Sequence, residues 1–122
     1  MILAVVDDLF FLSKIQQTAA NVGIEVRPAQ PGDLEGLIAQ VVPKGLIIDL
    51  NHRSGKALEV LRYLKSGVTT KDIPVVGFVS HVQSEVIAAA RDAGCDRVLA
   101  RSAFTAQLPA LLRERFAFPE PS

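Results

Sequence analysis

Two apolar runs that each stop at an acid constrain this chain most. Ile2-Leu3-Ala4-Val5-Val6 ends at Asp7-Asp8, and Gly45-Leu46-Ile47-Ile48 ends at Asp49. Runs this short, rich in Val and Ile and without polar alternation, read as strands buried on both faces, as in a parallel sheet covered by helices. Ligands of such sheets bind beyond the carboxyl ends of the strands, so two neighbouring strands of this kind bring three carboxylates to one crevice. Close carboxylates repel by roughly 4 kcal/mol per pair at 4 Å and an effective dielectric near 20, and so call for a proton or a cation. An oxygen-only cluster suits a hard divalent ion, magnesium before zinc.

The rest of the chain keeps the same rhythm. Leu12, Ile15, Ala19 and Val22 recur at helical spacing after Asp8, a plausible cap, and Gly23 marks the stop. Ile24 to Pro28 alternates as a short strand, Gln30-Pro31-Gly32 turns, and Asp33 is placed to cap a helix through Leu34, Leu37, Ile38 and Val41. The polar loop Leu50 to Gly55 follows Asp49 and leads to a helix through Leu58, Leu61 and Leu64, ending at Gly67. Ile73 to Val79 is a fourth strand with Pro74 at its start, closed by Ser80. An alanine-rich helix over Gln83 to Asp92 stops before Gly94, and Arg97 to Ala100 is a fifth strand ending at Arg101. Phe104, Leu108, Leu111, Leu112 and Arg115 mark a last helix, with Pro109 expected in its first turn. Five strand–helix alternations imply an α/β fold: a five-stranded parallel sheet with right-handed crossovers and helices on both faces, in the order 2-1-3-4-5.

At 122 residues the chain supports one domain, expected over residues 1–115, with a short flexible tail over 116–122. Thirteen basic and thirteen acidic residues balance, and no basic run offers a phosphate-backbone footprint, which argues against direct nucleic-acid binding. The single cysteine, Cys95, cannot form an internal disulfide and reads as a small core residue. With no charged-then-apolar leader and no stretch near the roughly 18 apolar residues of a membrane span, a reducing cytoplasm is the expected location.

In the strand order given, Asp7, Asp8, Asp49 and Ser80 meet at one end of the sheet, with Arg101 closing the far side. These residues, together with Asp49-Leu50-Asn51 and the phrase Ala93-Gly94-Cys95-Asp96-Arg97-Val98-Leu99, make the chain resemble the receiver domain of bacterial two-component response regulators from Ile2 to about Leu112. The resemblance implies the flavodoxin-like receiver fold in a stand-alone domain. It also implies a phosphoryl switch: Asp49 accepts the group from a histidine kinase or phosphotransfer protein. Magnesium would be held by Asp7, Asp8, Asp49 and the carbonyl of Asn51. A carboxylate attacking phosphorus needs charge neutralised and the acceptor held in line. Ser80 would then bond a phosphoryl oxygen and draw its loop inward, relaying the state to a protein target or a second copy. Such a protein is no enzyme beyond phosphorylation and dephosphorylation of its own Asp49.

The departures from that family are specific. Receivers place lysine then proline after strand five, where this chain has Arg101-Ser102. Arginine keeps the charge but not the shape, and its fork either grips Asp49 bidentately or reaches a phosphoryl group. His81 stands where a small residue is usual, Val98 replaces an aromatic, and the loop after Asp49 is short and lacks a proline. These departures define the alternative expectation, a phosphorylation-independent pseudo-receiver in which an Arg101–Asp49 pair fixes one conformation of a protein-interaction module. His52 and His81 lie on different loops and suit surface or supporting roles better than a transition-metal site. Neither a Gly-x-Ser-x-Gly elbow nor a Gly-rich phosphate loop is present, which argues against a hydrolase or a nucleotide enzyme.

Overall fold

The computed structural model describes residues 1–81, 83–114 and 116. Five parallel strands alternate with five helices: β1 Ile2–Val5, α1 Leu9–Asn21, β2 Val26–Pro28, α2 Leu34–Gln40, β3 Gly45–Asp49, α3 Ala57–Ser66, β4 Val75–Val79, α4 Ser84–Asp92, β5 Arg97–Ala100 and α5 Arg101–Arg113. The sheet order is β2-β1-β3-β4-β5, as expected, with Val5 beside Ile48 and Asp49 beside Phe78. Every residue of β1, β3 and β4 is buried, which is why these strands read as continuous apolar runs.

The alternating sides of the strands feed two cores. Ile2, Ala4, Ile47, Val76 and Phe78 pack with Phe11, Leu12 and Ile15 of α1 and with Phe104, Leu108 and Leu112 of α5. Leu3, Val5, Leu46, Ile48 and Val75 face Leu34 and Ile38 of α2, Val60, Leu61 and Leu64 of α3, and Ala90 of α4. In the first core the rings of Phe11, Phe78 and Phe104 form a triad, with Phe78 and Phe104 stacked at 5.0 Å between centroids and Phe11 edge-on to Phe78 at 5.1 Å. Glycines end two helices as expected, Gly23 at φ +74 and Gly94 at φ +98, conformations strained for other residues.

Four local expectations change. Asp33 closes a single 3₁₀ turn, Pro31–Asp33, and its side chain makes no capping hydrogen bond. Arg101 does not end the fifth strand; it is the first residue of α5, because the chain passes from β5 into the helix with no loop between them. That early start puts Pro109 in the helix interior, where it has no N–H to donate to the carbonyl of Thr105, an exposed residue. Phe116, assigned from sequence to the tail, belongs to the α1–α5 core at 1% exposure, with its N–H donating to the Leu111 carbonyl at 3.0 Å. Arg115 and the remainder of the expected tail, 117–122, lie outside the described residues. Among the described residues no helix is long and apolar enough to cross a membrane.

Candidate functional site

The carboxyl ends of β1, β3, β4 and β5 bring together the residues singled out from sequence, and each is held by a definable contact. Asp8 caps α1: its Oδ1 accepts from Phe10 N and Phe11 N, both at 3.1 Å. Its Oδ2 accepts from Arg101 Nη2 at 2.8 Å. The Arg101 hydrogen bond, and then the Phe11 N–H, hold the Asp8 carboxyl below the ordinary carboxylate value. Asp7 turns the other way, and its Oδ2 accepts from Arg53 N at 3.1 Å, with Arg53 Nε at 3.8 Å.

Asp49 ends the central strand, 5% exposed. Its Oδ1 accepts from Asn51 N at 2.8 Å, a local turn in which a side-chain carboxylate takes the place of a backbone carbonyl. Burial pushes the Asp49 carboxyl above its ordinary value and the charge of Asp7 adds to the rise; the Asn51 N–H, His52 and Arg101 oppose it. Asp49 is therefore the acid whose negative charge the site disfavours most, and Asp8 the one it favours.

Arg101 bridges three elements. Besides Asp8 it reaches Ser80 Oγ through Nη1 at 3.4 Å, and its Cζ lies 3.9 Å above the centroid of the Phe11 ring, in cation–π contact. The Arg101–Asp49 pair expected of a pseudo-receiver is not the one formed. Because Arg101 opens α5, its fork is directed to the carboxylate capping α1, and its influence on Asp49 is a minor Coulombic one.

Asn51 has a role that sequence reasoning missed. Its side-chain Oδ1 accepts from Ser80 N at 2.9 Å and His81 N at 3.5 Å, and its Nδ2 donates to Gln83 Oε1 at 3.5 Å. One residue thus links the loop after β3 to the turn after β4. Arg53 and Phe11, the partners of Asp7 and Arg101, also went unnoticed, since nothing local in the sequence ties them to the site. His52 is buried under this loop. Its Nδ1 accepts from Ser54 N at 3.1 Å and lies 2.9 Å from Ser54 Oγ, while Nε2 finds no partner among the described residues. Cys95 is buried away from the site, near the Arg97 carbonyl at 3.1 Å, and burial pushes its thiol up to about 11, so it is inert at neutral pH.

The three acids share one end of the sheet without forming one cage. Among the described residues no group of three His, Cys, Asp or Glu is arranged to hold a metal ion, and the helix cap and Arg101 occupy both oxygens of Asp8. Magnesium needs less: one or two carboxylates and several waters suffice. Asp7, Asp49 and the carbonyl of Asn51 are oxygen donors of the kind such an ion takes, and the charge of Asp7 adds to the rise of the Asp49 carboxyl that a cation would offset.

No protein-family model matches the chain, and no curated protein matches it in sequence. Solved structures do. The phosphorylated cyanobacterial phytochrome response regulator RcpA is 26% identical, with a TM-score of 0.79 over 99% of this chain and 97% of that one. A response regulator from Hahella chejuensis superposes with a TM-score of 0.83 at 14% identity, over 99% and 98% of the two chains. The Mn(2+)-bound form of response regulator Rcp1 does so with a TM-score of 0.77 at 18% identity, over 99% and 98%.

Proposed function

We propose that this chain, which has the receiver-domain fold of response regulators, is a phosphoryl-accepting switch of two-component signalling with Asp49 as the acceptor. The observation that carries the reading is the situation of Asp49: a buried carboxylate at the mouth of the central strand, one oxygen pinned by Asn51 N–H, with Ser80 just after β4 and Arg101 at the start of α5 at the same end of the sheet.

The chemistry follows from that placement. The Asn51 N–H fixes the rotation of the carboxylate, so that its other oxygen is the one that attacks phosphorus. A P–O bond forms to Asp49 as the P–N bond of a phosphohistidine, or the P–O bond of acetyl phosphate, breaks and the electron pair leaves with the donor. Ser80 Oγ and the Arg101 guanidinium supply hydrogen bonds to the phosphoryl oxygens. A magnesium ion held by Asp7, Asp49 and the Asn51 carbonyl, with Asp8 once released from Arg101, would neutralise phosphoryl charge. The donor would be a histidine kinase or phosphotransfer protein, and the readout a protein target in the cytoplasm. Catalysis would be confined to the chain's own carboxylate.

Intact mass after incubation with magnesium and acetyl phosphate tests this directly. A single phosphoryl adduct is expected on the wild type and none on Asp49→Asn. No adduct, or one that persists in the variant, overturns the assignment.

A further inference from the structure

Arg101 occupies an unfavourable place for a cation. It is the first residue of a 13-residue helix, where the unpaired N–H groups already present partial positive charge. What holds it there is lateral: the Asp8 carboxylate at 2.8 Å, the face of Phe11 and a long contact to Ser80. Asp8, by contrast, sits where an anion is favoured, at the start of α1, with its Oδ1 fixed by two N–H groups. Its carboxylate is therefore anchored by contacts that do not involve Arg101. An arginine fork held against a helix N-terminus, facing an acid so anchored, is the replaceable member of the pair.

We propose that Arg101 is a built-in competitor of the divalent ion: guanidinium and metal are alternative partners of Asp8 Oδ2, and entry of the metal releases Arg101 from Asp8 and from Ser80. The proposal rests on the reading of the site as a metal-assisted phosphoryl acceptor and adds its regulation. Arg101 sets how much free metal the domain needs, and the metal-bound state is the one in which the Ser80 hydroxyl and the guanidinium are free to turn to a phosphoryl group. Lysine in the same place keeps the charge but has neither the fork nor the planar face that stacks on Phe11.

The test titrates the full chain with magnesium alone, following ¹⁵N-labelled protein, in the wild type, Arg101→Lys and Arg101→Met, with the fold of each checked by circular dichroism. In the wild type the Arg101 Nε–H and Ser80 amide signals are expected to move on the same isotherm. Arg101→Met is expected to bind magnesium about tenfold more tightly, with Arg101→Lys between the two. Equal affinity in all three proteins, or metal binding that leaves the Arg101 signal unmoved, overturns the proposal. Absence of binding in all three overturns it as well. Adduct formation from acetyl phosphate is scored separately: competition without an adduct would sink the acceptor reading and leave the competition standing.

Discussion

The two ends of the sheet each carry an acid paired with a base, and the pairs are built differently. At the amino end Lys65 Nζ donates to Asp96 Oδ2 at 2.9 Å, the Ile73 carbonyl at 2.9 Å and the Lys71 carbonyl at 3.1 Å, so all three protons of the ammonium have acceptors. Asp96 Oδ2 also takes the Val75 N–H at 2.8 Å, which ties the starts of β4 and β5 to the end of α3. At the carboxyl end Arg101 has one short bond, one long one and a ring face, and the acids around it face competing claims. A saturated pair can only be broken. An unsaturated pair can be exchanged, and that is the physical difference between a clamp and a switch.

Lys65→Met attacks the saturated end and carries the largest expected effect, a loss of about 3 kcal/mol in urea unfolding, because two carbonyls and a carboxylate lose a charged donor together. A loss below about 1 kcal/mol would remove the contrast between the ends. Gly45→Ala probes the packing there. A Cβ on Gly45 overlaps the Phe116 ring, so an overpacking cost of about 2 kcal/mol is expected by the same measurement.

At the carboxyl end the expected sign reverses. Asp49→Asn keeps an oxygen for the Asn51 N–H but removes a buried charge, so Tm at pH 7 should rise by a few degrees. The folded Asp49 carboxyl lies above its ordinary 3.8. The wild type therefore has its full stability below that value and loses part of it as pH rises through the raised one. The two proteins should converge in Tm below about pH 4 and separate above it. A gap that widens toward acid would refute the burial account.

The sheet was legible because its strands are buried on both faces and announce themselves as unbroken apolar runs. The set of residues at its carboxyl end was legible because strand order alone brings strand ends together. Pairings within the set were not, for local reasons. Whether Arg101 meets Asp49 or Asp8 depends on α5 starting at residue 101 with no intervening loop, a boundary that helical spacing from Phe104 onward cannot locate. The same shift misplaced Pro109. Phe116 was read as tail because the prolines that follow it suggest irregular chain. Its burial against Gly45 depends on a glycine more than seventy residues away, which no local pattern reports.

Asn51 carries one more consequence. Its backbone orients the acid before it, and its side chain holds the start of a turn almost thirty residues later. The two loops are therefore a single structural unit. A chimera that borrows the segment after β3 from another protein without the segment after β4, or the reverse, would break the Asn51 side-chain contacts that join them. Anyone grafting new specificity onto this scaffold has to transplant both segments together or retain Asn51.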